Sequence, residues 1–297
     1  MTGYTRRMTR VLTLNLWSYN NPHDYTVRRN TTRGAVPGSP AATQPAPGGS
    51  SWPIRRDLVL KLLREERPDA VGLQEVSTHP HIAVGRTAAH QLGDALGWRV
   101  LYAEGDGPPL ASGVRNGLAI LSPHLLRELA RIPLPHRDQR EAYLCLVGEV
   151  RTPAGPLAFL TTHFALADDV RDDRTHQEES VRRILACCRS LPPTLPIVLT
   201  GDLNADPGSR PVRYLVGDDT IAGERGQFRD AATVATGAPI ATMASHAPTV
   251  MLDYVLVQGG TVLDCRTAGG PDSEGYYPSD HLGLVADLEF STGRETR

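Results

Sequence analysis

Ser279-Asp280-His281 lies between the turn-rich Gly275-Tyr276-Tyr277-Pro278 and an apolar strand pattern, Leu282-Gly283-Leu284-Val285-Ala286-Asp287-Leu288. A carboxylate beside an imidazole at a strand start sets a metal ligand next to a charged hydrogen-bond donor, the combination that phosphate ester cleavage requires. Four other segments share one design, an apolar run ending in Asn, Glu, His or Asp: Leu12-Thr13-Leu14-Asn15, Val71-Gly72-Leu73-Gln74-Glu75, Phe159-Leu160-Thr161-Thr162-His163 and Ile197-Val198-Leu199-Thr200-Gly201-Asp202-Leu203-Asn204. Polar groups at the ends of buried strands converge on one rim of a sheet, so distant residues can form one site. Glu75 in particular ends an apolar run, where a carboxylate needs a cation or a donor. Oxygen ligands without a His/Cys cluster suit Mg²⁺ or Mn²⁺ better than Zn²⁺. Asp202 and Asn204 are two apart, so in an extended segment both leave the same face and can address one phosphate. Asp206-Pro207-Gly208 reads as an ordinary turn.

The elements that must position these residues follow from periodicity. Val11–Leu16, Ala70–Leu73, Arg99–Ala103 and Ile197–Thr200 read as strands, as do segments near Leu252–Val257, Val262–Arg266 and Leu284–Glu289. Gly117–Ser122, Leu125–Ile132, Ala142–Val150 and Leu157–Thr162 read as one antiparallel series joined by Pro/Gly turns. Helices are expected over Ile54–Leu63, closed by Pro68, over Thr87–Leu96, stopped by Gly97, and over Asp173–Arg189. Mixed strands and helices with antiparallel runs place the chain in the α+β class. One domain is expected over residues 11–290, after an N-terminal extension of 1–10 and before a tail of 291–297. The stretch 20–51 is rich in Pro, Gly, Ala, Ser and Thr and too poor in apolar residues to pack alone, so it reads as an insertion, either a lid or a spacer.

Charge and cysteines narrow the function. With 31 Lys+Arg against 33 Asp+Glu, the chain lacks the basic surplus of proteins that grip duplex phosphates, which leans away from tight nonspecific DNA binding. The four cysteines have no metal-ligand spacing, and Cys187-Cys188 are adjacent in a helical pattern, so a reduced, cytoplasmic protein is expected. No apolar run is long enough to span a bilayer, and no protein partner can be inferred.

The strand-end series, with Leu252-Asp253-Tyr254-Val255 added, resembles the endonuclease/exonuclease/phosphatase superfamily, which has the DNase I-like fold. Gly-Asp-Leu-Asn and Ser-Asp-His are its most specific parts, and the resemblance runs from Val11 to about Glu289. It implies a four-layer α/β/β/α sandwich with two packed mixed sheets. It also implies Glu75 as principal metal ligand, Asn15 as second ligand or orienter, and Asp280 completing the shell. Asp202 would orient or deprotonate the attacking water, and Asn204 would hold a phosphoryl oxygen. Asp253 would orient His281, which stabilises the transition state, and His163 would donate to phosphate or the leaving oxygen. Asn116 is a candidate substrate contact or a simple Asn-Gly turn. Arg140 is a second candidate contact; it, Arg174 and Gln177 match polar positions of bacterial members, with solvated surface as the competing reading. His176 reads as solvated, and His79, His81, His90, His124, His136 and His246 as ordinary surface or core residues. The activity implied is divalent-metal-dependent hydrolysis of a phosphate ester, foremost a phosphodiester, by an activated water. The substrate would be a small molecule or a nucleic acid; the rival readings are a nuclease and a non-catalytic binding domain on the same fold.

Overall fold

Strand β1 (Met8–Asn15) is buried on both faces, and its partners explain why. Val11 joins the core between two sheets, whereas Leu12 and Leu14 join a smaller core under helices α1 (Trp52–Glu66) and α2 (Ala88–Leu96). A strand covered on both sides must be apolar at successive positions rather than alternating cleanly. The structure, a computed structural model, describes residues 8–17, 52–78, 86–105, 115–135, 143–167 and 174–290. The insertion at 20–51, the tail 291–297 and Arg140 lie outside the described residues, as do His79, His81 and His136.

Among the described residues there are two six-stranded sheets. The first runs β11 (Thr261–Ala268), β12 (Gly283–Glu289), β1, β2 (Ala70–Gln74), β4 (Gly117–Ser122), β3 (Arg99–Glu104). The second runs β5 (Leu125–Pro133), β6 (Leu144–Thr152), β7 (Gly155–His163), β8 (Ile197–Asp202), β10 (Asp253–Gln258), β9 (Arg229–Asp230). Each sheet has one parallel pair, β1 with β2 and β7 with β8, and the rest is antiparallel. Parallel neighbours need a crossover; α1 lies in the first connection and α3 (Thr175–Ser190) in the second. With α4 (Arg210–Val216), α3 packs Val181, Ile184, Leu185, Val212 and Leu215 into the core of the second sheet. This is the expected four-layer DNase I-like sandwich.

The sheets meet closely at Gly72 on β2. A Cβ there would stand 2.3 Å from Thr200 Oγ1 and 2.8 Å from Thr161 Oγ1. Just above it Gln74 Nε2 donates to Thr161 Oγ1 at 2.8 Å and to Thr13 Oγ1 at 3.2 Å, a polar seam joining the sheets beneath their shared rim.

Three expectations change. The series from Gly117 to Thr162 is not one sheet: β4 pairs with β2 and β3, and the chain crosses at Pro123-His124 to start the β5–β6–β7 meander in the other sheet. Strand periodicity is the same in either sheet, so the switch leaves no mark on the pattern. Residues 8–10, placed in an N-terminal extension, are already in β1: Met8 pairs with Glu289, and Arg10 forks onto Asp287 at 2.6 and 2.8 Å. Two short helices and a two-residue strand, α4, β9 and α5 (Ala231–Thr236), add to the expected elements, each too brief for periodicity to mark. The expected helix at Thr87 starts as Thr87 and His90 form a reciprocal cap, and Gly97 ends it at φ 69°.

Candidate active site

Strand register brings the polar ends together. Asn15 is opposite Gln74 in the parallel pair β1–β2, and His163 is opposite Asp202 in the parallel pair β7–β8, so four strands finish at one rim. Asp253 begins β10 antiparallel to β8 and sits opposite Asp202. Asp280 and His281 precede β12, which runs antiparallel to β1 from the same rim.

Asn15, fully buried, is the hub. Its Oδ1 accepts the Trp17 N–H at 2.9 Å, so its amide nitrogen faces the carboxylates and donates to Glu75 Oε1 at 3.1 Å and to Asp202 Oδ2 at 3.0 Å. The Ser279 hydroxyl donates to the Asn15 carbonyl at 2.6 Å and accepts the His281 N–H at 3.2 Å, tying the Ser-Asp-His turn to β1. Glu75 leaves β2 at φ 52°, a left-handed conformation costly for a residue with a Cβ. Such strain persists where surroundings over-determine it, and it clusters at functional sites.

His281 donates from Nδ1 to Asp253 Oδ2 at 2.8 Å, with both side chains buried. Burial opposes a charge on the imidazole, but the charge and hydrogen bond of Asp253, helped by Asp202 and Asp280, outweigh it and hold His281 well above the ordinary histidine range. Its Nε2 is 3.8 Å from Asp202 Oδ2, and His163 Nε2 is 3.7 Å from the same oxygen. Asp202, 2% exposed, thus lies between two imidazoles and under the Asn15 amide.

The extended-segment picture of Asp202 and Asn204 is corrected. The strand ends at Asp202, whose Oδ1 accepts the Asn204 N–H at 2.9 Å, and Asn204 turns to φ 45°. The segment is therefore not extended through Asn204. Instead, Asn204 Nδ2 lies 3.0 Å from His163 Nε2 and donates to the Phe164 carbonyl at 2.8 Å, locking the ends of β7 and β8 together.

Gln177 and His176 are not solvated. Gln177 is fully buried, and its Nε2 donates to the Ala165 and Asn204 carbonyls at 2.9 and 3.2 Å, clamping α3 onto both loops. His176 is buried with Nε2 3.1 Å from the Leu166 carbonyl. Arg174, half-buried at the start of α3, donates to Gln177 Oε1 at 3.2 Å and faces Asp206 at 3.6 Å. Helical spacing does not show that a polar residue caps buried carbonyls of remote loops, so the solvated reading of Gln177 gives way to this clamp. Asn116 accepts from Ser77 Oγ at 2.9 Å, next to Glu75 on the other flank. Gln74, Ser77, Ser279 and Arg55 also support the candidate site; of these, Gln74 and Ser279 belong to the sequence motifs themselves, whereas no sequence pattern marks Ser77 or Arg55.

Two groupings could hold a divalent ion. Asp202, Asp253 and His281 have ligand-type atoms within 4.8 Å of one another. There, however, the Asp253–His281 hydrogen bond already occupies Oδ2 and Nδ1. Glu75 and Asp280 fit better: both offer oxygen, the donor class of a hard cation. Burial pushes the Asp280 carboxyl up to about 7, with His281 and Arg55 opposing and the Glu75 charge adding to the rise. A cation between the two carboxylates would relieve both burial and repulsion.

The sequence matches the Endonuclease/Exonuclease/phosphatase family over residues 12–281, and the chain belongs to that family. No curated protein matches it in sequence. Among solved structures it resembles an endonuclease/exonuclease/phosphatase from Beutenbergia cavernae DSM 12333, at 21% identity and TM-score 0.70 over 96% of this chain and 72% of that one. It also resembles the human nocturnin catalytic domain with bound sulfate, at 15% identity and TM-score 0.63 over 97% and 98%. A Bacteroides thetaiotaomicron VPI-5482 mannosyl-6-phosphatase matches at 17% identity and TM-score 0.65 over 95% and 100%. At such identities the likeness shows the shared fold. Family members are generally hydrolytic phosphoesterases, and among the described residues no helix is long and apolar enough to cross a membrane.

Proposed function

We propose that the chain hydrolyses a phosphate ester, foremost a phosphodiester, by in-line attack of water activated at Asp202. The observation that carries this is the position of Asp202, a buried carboxylate held by Asn15 between His163 and His281. Its surroundings orient it without consuming it: Oδ2 takes the Asn15 amide and Oδ1 the Asn204 N–H, which leaves lone pairs for a water proton. His281, kept charged by Asp253 through Nδ1, has Nε2 to donate to a phosphoryl oxygen as negative charge builds. On the other flank His163 and Asn204 serve the phosphate or the departing oxygen. Glu75 and Asp280 would hold Mg²⁺ or Mn²⁺, with Asn15 as orienter of Glu75, and the ion would supply Lewis-acid stabilisation of the charge developing on phosphate. Asn116, flanking Glu75, and Arg140 are the proposed substrate contacts.

A diester suits the site because it carries one negative charge. With Glu75 and Asp280 holding the ion and Asp253 paired with His281, Asp202 is the carboxylate that would repel a dianionic monoester more than a diester. The sulfate bound to the nocturnin catalytic domain and the phosphatase named among the neighbours support a phosphate-type ligand. Residues 8–290 act as one catalytic domain in this reading, and four free cysteines suit a reducing compartment such as the cytoplasm. The test is hydrolysis of bis-p-nitrophenyl phosphate, its monoester, plasmid, single-stranded DNA, sphingomyelin and inositol phosphates, with Mg²⁺ and with chelator. Turnover of none of these in Mg²⁺ or Mn²⁺ would overturn the reading; turnover of nucleic acid alone would make the chain a nuclease.

A further inference from the structure

Arg55, on α1, is 1% exposed, although a helix packed on a sheet needs only an apolar residue there. A buried guanidinium is unfavourable unless its surroundings hold it. Its Cζ lies 5.2 Å from the Trp17 ring centroid and 5.6 Å from that of Trp52, between two indoles that can attract a cation. Trp52 is itself fixed, donating from Nε1 to Gln91 Oε1 on α2 at 2.9 Å.

What the guanidinium holds is the backbone directly after Asn15. Nη1 donates to the Leu16 carbonyl at 2.6 Å, and Trp17 sits at φ 50°, a conformation a bulky residue does not adopt unaided. The Leu16 carbonyl and the Trp17 N–H belong to one peptide plane, so the bond from Arg55 fixes that plane; the N–H donates to Asn15 Oδ1, which leaves the Asn15 amide nitrogen facing Glu75 and Asp202. An Asn15 amide turned the other way would set its oxygen against two carboxylates.

We propose that Arg55 is a positioning residue of the hydrolytic site: from the helix layer it sets the Leu16-Trp17 turn, and through it the direction of the Asn15 amide toward Glu75 and Asp202. This rests on the function proposed above.

The experiment compares wild type, Arg55→Met, Arg55→Lys, Asn15→Ala and Arg55→Met/Asn15→Ala. Bis-p-nitrophenyl phosphate hydrolysis gives kcat and KM, Mn²⁺ affinity is read by electron paramagnetic resonance, and thermal melting reports the fold. Partners that orient site ligands typically carry about 10–100-fold in affinity or rate. Arg55→Met should therefore lower kcat by about 10–100-fold with KM nearly unchanged, and Arg55→Lys, which keeps stem and charge, should recover part of it. The double variant should lose no more than Asn15→Ala alone, because Arg55 acts through Asn15. If Arg55→Met does not fold, the cycle is run with Arg55→Lys, whose milder loss should vanish in the Asn15→Ala background.

Wild-type kcat and Mn²⁺ affinity in a folded Arg55 variant would overturn the proposal, and so would losses that multiply in the double variant. A wild type that binds Mn²⁺ but hydrolyses nothing would overturn the hydrolase reading while leaving the effect of Arg55 legible in the Mn²⁺ titration. A wild type that does neither would take both down.

Discussion

Replacing Asp253 by Asn should separate charge from shape at the buried pair. The amide has the size of the carboxylate and can still accept a hydrogen bond from His281 Nδ1, so the fold should survive while the charge is lost. At the observed 2.8 Å, two unit charges in an effective dielectric of about 20 attract by about 6 kcal/mol. Both side chains are almost fully buried, so desolvation consumes part of this, and removing one partner of such a pair typically costs about 3–5 kcal/mol. If about 3 kcal/mol of that supports His281 as a charged donor in the transition state, the rate falls by about 10²-fold. Initial rates of bis-p-nitrophenyl phosphate hydrolysis in Mg²⁺ give the loss for Asp253→Asn, His281→Ala and the double variant. On the proposed mechanism the two act as one unit, so all three should lose similar amounts. Losses that multiply in the double variant would refute the coupling, and an Asp253→Asn enzyme at full rate would show that the charge is not needed.

Chelation, or Glu75→Ala, should lower turnover by about 10²-fold or more with the fold intact, measured as rate and melting temperature; full activity in excess chelator would remove the metal from the mechanism. Glu75→Gly should be equally inactive yet more stable than Glu75→Ala by about 1 kcal/mol in urea unfolding, since glycine accepts φ 52° without strain. Gln177→Met keeps the volume but leaves the Ala165 and Asn204 carbonyls unpaired, so stability should drop by about 1–3 kcal/mol in the same assay. Gly72→Ala should destabilise by about 1–3 kcal/mol, because the added methyl would push into Thr200 and Thr161 where the sheets touch; an unchanged midpoint would contradict the packing.

Much of the candidate site is legible in the sequence, because polar residues at the ends of apolar runs are a one-dimensional signal. Asn15, Glu75, His163, Asp202, Asp253, Asp280 and His281 each stand at a strand end, and any fold that aligns those ends gathers them. Glycine, proline and helical spacing likewise marked α1, α2 and α3 to within a few residues.

Sheet membership was not legible. Gly117–Ser122 and Leu125–Pro133 look alike as strands, yet they belong to different sheets, and only pairing with β2 and β3 or with β6 tells them apart. The same limit hides the partners of Gln177 and Arg55, polar residues on helices that bond carbonyls after β1, β7 and β8. The left-handed turns at Glu75 and Asn204 belong to this class too, since a backbone conformation that local preference disfavours is imposed from outside the segment. Residue type and period therefore determine which groups stand ready for chemistry. The direction each group faces is decided by hydrogen bonds from distant chain, and these exist only once the two sheets and their helices have packed.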